Sequence, residues 1–393
     1  MRVGWLGYSK SQKRPIQWLA YRALLWSTLA LLSLTLIGLR QAHGEPLEPV
    51  WAKPFNLLQV QGLKESFRRP FKEPITVEEI PFPSESPYTP ESAKLGEALF
   101  FDTRLSESGV FSCASCHNPA TGWEAPVDLV LGNRGEPLRR HTPTLLNAAW
   151  TDRFLWDGST LSLEEQMLGP LTDPNEMANP DLTGLVERLG PLPVPVGISV
   201  KSDTYAELFA ETFDDGLTLG NLQRALATYQ RTLIAPQSTF DRWVEGEDNA
   251  ISDEAKRGFV LFNTKARCAA CHAGWTFSDG RFHDTGLPSD DLGRGAVRPD
   301  LLKAQFAFKT PSLRQIGVRS PFMHDGSLPN MESVLEHYRS GGINRPSLSP
   351  LMLPLDLGAD DMNAMSAFLA TLTVQHESDA RACREGEAWT TCD

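Results

Sequence analysis

Two five-residue units, Cys113-Ala114-Ser115-Cys116-His117 and Cys268-Ala269-Ala270-Cys271-His272, constrain this chain more than any other feature. Each sets two thiols one turn apart and puts an imidazole directly after the second. A porphyrin held by two thioether bonds needs that spacing, because one short turn then presents the imidazole to its iron. CxxC pairs also serve zinc and thiol–disulfide exchange. Here both histidines stand in the same place, the pairs lie far apart, and each heads one half of a repeat. The reading is therefore two covalently bound haem c groups. Cys113, Cys116, Cys268 and Cys271 are expected to carry the thioether bonds, and His117 and His272 to be the proximal ligands.

The repeat is visible around these units. Gly96-x-x-Leu99-Phe100 precedes the first and Gly258-x-x-Leu261-Phe262 the second. Thr89-Pro90-Glu91 and Ser252-Asp253-Glu254 read as helix starts, with a hydroxyl cap followed by an acid in the first turn. Each half closes on an amphipathic helix, with Leu222, Leu226, Tyr229 and Leu233 on one face in the first and Met365, Phe368 and Leu372 in the second. Glycine on the opening helix lets the closing helix approach closely, since it has no Cβ. The expected fold is mainly α: two cytochrome-c-like haem domains in tandem, 89–245 and 246–375, with long ordered loops. The 29 prolines and 30 glycines suit such loops better than a lattice of strands.

The ends of the chain read differently. Residues 1–44 carry Arg2, Lys10, Lys13, Arg14, Arg22 and Arg40 and no acid, with an uncharged run from Ala23 to Leu39 and small residues up to Gly44. This is the pattern of a signal peptide or membrane anchor, so the remainder is expected in the periplasm. Residues 45–88 are proline-rich and read as an extended wrapping segment or linker. Cys383 and Cys392 are expected to close the 376–393 tail as a disulfide. The net charge is −12, and −18 without the six basic residues of the leader (−12 − 6). No basic stripe offsets it, which excludes nucleic acid and favours a basic or neutral partner.

From Leu95 to about Leu372 the sequence resembles the bacterial di-haem cytochrome c peroxidase family, MauG-type enzymes included. The resemblance rests on LFFDTRLSESGVFSCASCHNP, HTPTLLNAAW, FLWDGSTLSLEEQMLGPLTDPNEM, RCAACHAGWTFSD, FHDTG, FKTPSLRQI and PFMHDGSL, in that order. It implies a peroxide site at the N-terminal haem and electron entry at the C-terminal haem, from a small periplasmic cytochrome c or cupredoxin. It also implies that Trp156 lies between the haems, and that Gln166, Pro170 and Glu176 line the peroxide pocket. The roles make chemical sense. Glu176 would move a proton between the two peroxide oxygens, Gln166 would orient hydrogen peroxide, Pro170 would shape the cavity, and Trp156 would relay an electron. Family members often pair as homodimers.

Three departures from the family pattern matter. Residues 118–140 contain no histidine, so the first haem is expected to be open without reductive activation. His141 stands where the family usually has an asparagine ligand of calcium; histidine suits calcium poorly, which puts bound calcium in doubt. Ala307 stands near the family's axial methionine, making Met323 of the PFMHDG segment the leading sixth ligand of the second haem, with His324 its rival. MauG uses tyrosine there, and this segment has none. The leading expectation is thus reduction of hydrogen peroxide to water. The alternatives are a MauG-like oxidase that modifies tryptophan on a partner protein substrate, and a non-catalytic di-haem electron carrier.

Overall fold

The computed structural model describes residues 57–72, 75–195 and 202–374. The expected leader and the Cys383–Cys392 tail lie outside the described residues. The helices that build the frame are α1 (Leu57–Glu65), α2 (Pro90–Phe101), α3 (Leu219–Arg231), α4 (Asp253–Asn263), α5 (Met331–Ser340) and α6 (Ala359–Ala370). The only strands among the described residues, β1 (Phe282–His283) and β2 (Phe308–Lys309), form a short antiparallel pair. The fold is mainly α. No described helix is long and apolar enough to cross a membrane.

Local chemistry starts the opening helices where the sequence indicated. The Thr89 hydroxyl accepts from the Ser92 N–H at 3.0 Å, with Pro90 at the first helical position. Ser252 does the same for Ala255 at 3.1 Å. α2 crosses α3, and α4 crosses α6, at distances that only glycine allows. A Cβ on Gly96 would lie 2.0 Å from the Ala225 carbonyl oxygen, and one on Gly258 would lie 1.9 Å from that of Ala364. The aromatic of each GxxLF unit then meets the closing helix: Phe100 on Tyr229 at 5.3 Å between ring centroids, and Phe262 on Phe368 at 5.1 Å.

Each crossing organises a core. The first holds Leu95, Leu99, Phe100, Leu222, Leu226 and Tyr229, and the second Phe259, Phe262, Phe277, Met365 and Phe368. The segment before α2 joins them. Phe67, 1% exposed, enters the second core against Phe277, Phe259 and Phe240. The Arg69 guanidinium donates to the Ala235 carbonyl at 2.9 Å. Phe71, Ile75, Ile80 and Ile234 then form a third apolar cluster, against Trp150 and Trp275. Its proline content suggested a wrapping segment or linker; its apolar side chains make it part of the core.

The helix crossing yields a test. Gly258→Ala should destabilise the protein by about 3 kcal/mol, the upper end for an overpacked core. Gly62→Ala on α1, where an added Cβ meets nothing within 4 Å, should instead stabilise it by about 0.5–1 kcal/mol. Urea midpoints of the two variants, measured side by side, decide the point.

Candidate functional site

Each CxxCH unit forms a short turn whose histidine is fixed by one hydrogen bond. His117 Nδ1 lies 3.1 Å from the Trp123 carbonyl oxygen, and His272 Nδ1 lies 2.9 Å from that of Phe277. A carbonyl only accepts, so Nδ1 carries the proton and Nε2 keeps a lone pair for a metal. Trp123 and Phe277 both have left-handed backbones, φ 63° and 55°, which turns their carbonyls inward. The four thiols are unpaired. Burial pushes Cys113 and Cys268 up to about 12 and Cys116 and Cys271 up to about 11, so all are neutral and available.

A cavity of about 540 Å³ opens beside His117, within the usual range for a cofactor site. His117, Cys116, Trp156, Gln166, Pro170 and Glu176 line it, and so do Thr276, Ser278, Asp279 and Gly280 of the second CxxCH loop together with Lys309–Ser312. A smaller cavity of about 80 Å³ adjoins Cys113 and shares His117, Gln166, Pro170 and Glu176. The thiols, the oriented imidazole and the cavity all fit a haem c.

The distal side is held by its own framework. Ser162 caps the helix carrying Gln166, and the Arg231 guanidinium clamps Glu164 of that helix at 2.7 Å. The next turn ends at Asp173, and Asn179 Nδ2 bonds the Leu171 and Leu105 carbonyls, fixing the loop that carries Glu176. Burial, with Asp173 nearby, raises the Glu176 carboxyl to about 7. It can therefore exchange a proton near neutral pH.

Trp156, 8% exposed, donates its indole N–H to the His141 carbonyl at 2.8 Å, and its own carbonyl accepts from the Lys309 N–H at 2.8 Å. It thus joins the first cavity to the β-pair of the second half. His141 is buried, with Nδ1 2.9 Å from the Asp128 carbonyl and Nε2 3.6 Å from the Glu124 carboxylate. Arg319 reaches the same carboxylate at 2.6 Å across the two halves. The His141 side chain supplies no oxygen to a cation; a guanidinium provides the positive charge at Glu124.

At the second unit the sequence reading missed a residue. Tyr338, on α5, is half-buried, and after burial the Cys268 and Cys271 thiols are its strongest neighbours; together they raise its phenol pKa. The PFMHDG segment lacks a tyrosine, but the next helix brings one to the cysteines. Met323 sits half-buried at a turn with φ 77°. The His324 ring stacks on Phe308 at 3.6 Å and its Nε2 lies 3.2 Å from the Ser289 hydroxyl. The repeat locates Tyr338. Pro143 and Pro311, Asn147 and Gln315, Phe154 and Phe322, and Ser162 and Asn330 are all equally spaced, and the same step takes Pro170 to Tyr338. The matched positions share left-handed residues, Asn147 with Gln315 and Leu155 with Met323. Gln230 was also missed. It lines both cavities, its Oε1 is buried without a partner among the described residues, and Leu369 follows Phe368 where Gln230 follows Tyr229.

Comparison with known proteins places this geometry. A family model described as di-haem cytochrome c peroxidase matches residues 90–249. The methylamine utilization protein MauG of Methylorubrum extorquens is 46% identical over 318 residues, covering 80% of this chain and 85% of the relative. Cytochrome c551 peroxidase of Nitrosomonas europaea is 30% identical, covering 75% and 83%. The crystal structure of a MauG-like protein associated with microbial copper homeostasis superposes with a TM-score of 0.67 at 27% identity, covering 77% and 95%.

The Glu124 cluster predicts how stability depends on pH. The Glu124 pKa is lowered: burial is the largest influence and opposes ionisation, but Arg319 and His141 together outweigh it. Its contribution is present above the unfolded carboxyl pKa and is lost as pH falls through the folded value. The His141 pKa is raised: burial is the largest influence and opposes the charge, but Glu124 with the Asp128 and Val127 carbonyls together outweigh it. Its contribution is present below the ordinary 6.5 and is lost as pH rises through the folded value. Melting temperature should therefore peak between these limits, and His141→Gln should flatten the alkaline limb, with a smaller weakening of the acid limb because His141 also lowers the Glu124 pKa. Glu124→Gln, which strands Arg319, should cost about 3–5 kcal/mol.

Proposed function

Because the chain belongs to the di-haem cytochrome c peroxidase family, an oxidoreductase family whose members carry two c-type haems, we propose that it is a peroxide-consuming enzyme of the MauG type, drawing its electrons from tryptophan side chains of a partner protein. The observation that supports this reading is the unlike pair of residues at equivalent repeat positions: Pro170, which lines the first cavity with Glu176, and Tyr338, which neighbours the Cys268 and Cys271 thiols. A proline offers an iron no ligand, whereas a phenol offers an oxygen. The 46% identity to a MauG protein points the same way. The haem bound through Cys113, Cys116 and His117 would supply the electron-accepting centre that cleaves peroxide. Glu176 would take a proton from one peroxide oxygen and return it to the other, which leaves as water. Gln166 would hold the peroxide by hydrogen bonding, and Pro170 would keep larger molecules out. Trp156 would pass electrons from the second half, where Cys268, Cys271 and His272 hold the other haem.

A second reading keeps the same pocket and replaces the partner protein by a small periplasmic cytochrome c or cupredoxin. The 30% identity to a cytochrome c551 peroxidase favours it. Turnover of peroxide with a reduced donor, set against covalent change of tryptophan in a partner, separates the two.

Two variants test the site itself. Glu176→Gln should lower kcat/KM for peroxide about 10²–10⁴-fold and remove the pH–rate limb near 7. Tyr338→Phe should change the low-spin absorption and EPR spectrum of the second haem, with Met323→Leu leaving it unchanged. The opposite pattern would return the axial role to Met323.

A further inference from the structure

Trp150 and Trp275 face each other across the two halves, with ring centroids 5.0 Å apart and planes at 87°. Trp150 lines the cavity that contains His117 and Trp156. Trp275 stands between His272 and Phe277, in the loop whose Phe277 carbonyl holds the His272 ring. That loop is rigid: the Trp275 carbonyl accepts from Arg314 at 2.7 Å, and Arg314 is itself held by Asp241 at 2.6 and 2.8 Å. Phe71 closes the pair, 5.6 Å from one indole and 5.2 Å from the other.

The pair differs from Trp156 in one chemical respect. The Trp156 N–H is committed to a backbone carbonyl, which does not take up a proton, so its oxidised form stays a cation and returns its charge readily. Among the described residues neither the Trp150 nor the Trp275 N–H donates to a protein acceptor, and neither is sealed from the surface. Once oxidised, each can release its N–H proton to water and remain as a neutral radical.

We propose that Trp150 and Trp275 form a second electron relay, parallel to Trp156, that holds oxidising equivalents between the two halves until a reductant arrives. The proposal rests on the peroxide-consuming reading above. Its balance is closed: hydrogen peroxide takes two electrons and two protons to give two waters, and each indole oxidation supplies one of each. The reductant, whether a partner tryptophan or a small redox protein, then restores the indoles.

The experiment uses the full di-haem protein, freeze-quenched after one equivalent of hydrogen peroxide with no donor present. High-field EPR should show a neutral tryptophan radical whose line narrows when the protein carries ring-deuterated tryptophan. Trp275→Phe should lose about half of that signal's spin count while its haem absorption still responds to peroxide as in the wild type. Trp150→Phe, which keeps an aromatic ring in the same cluster, should likewise lose about half, and the double variant should lose the signal altogether. A radical that persists unchanged in both variants, or haems that respond with no tryptophan radical at all, overturns the relay and leaves the peroxide reading standing. Haems that ignore peroxide in the wild type overturn both.

Discussion

One hydrogen bond in each half sets the chemistry of this molecule: imidazole Nδ1 to a carbonyl a few residues further on. It fixes the tautomer, points Nε2 away from the loop, and requires the carbonyl's own residue to adopt a left-handed backbone. Trp123 and Phe277 accept that conformation because their rings are anchored. Phe277 is fully buried among Phe67, Phe240 and Phe262, and Trp123 packs on Phe100 and Tyr229. These are the aromatics that the glycine crossings bring together. The close approach of α2 to α3 and of α4 to α6 therefore reaches the iron site through an aromatic ring, a strained residue and a carbonyl.

The two halves are tied by charge as well as by apolar packing. Glu124 comes from the loop that follows His117, and Arg319 from the turn before the PFMHDG segment. Both are nearly inaccessible, so the pair contributes only because each satisfies the other; removing one partner would leave a buried charge. His141 lies on the same carboxylate, and its carbonyl receives the Trp156 N–H. The indole expected to carry electrons between the haems thus hangs from the residues that hold the halves together.

Much of this was legible in the sequence, for specific reasons. CxxCH and the hydroxyl caps are local, so spacing alone located the haem loops and the starts of α2 and α4. The GxxLF units were legible because glycine has no other reason to recur at that place. The segment before α2 was harder: its prolines were visible, but burial of Phe67 and Phe71 depends on two cores that meet only in three dimensions. Tyr338 was hidden for a related reason. Candidates for the sixth ligand were sought within the PFMHDG segment, whereas the following helix brings Tyr338 to the cysteines. Counting the same step from Phe322 as from Phe154 to Pro170 would have found it.

That step also shows how far the frames of the two halves match. The frame is held constant: the cap at Ser162 or Asn330, the left-handed Asn147 or Gln315, the glycine turn at Gly158 or Gly326. Several side chains carried on that frame differ. Pro170 becomes Tyr338, Gln166 becomes Val334, and Gln230 becomes Leu369. The first set gives polar groups that can bind a small polar oxidant and nothing that reaches a metal. The second removes those polar groups and adds one phenol. On the proposed reading, the difference between a site that would admit peroxide and one that would pass electrons lies in these side chains, and in Glu176 on the loop beyond them.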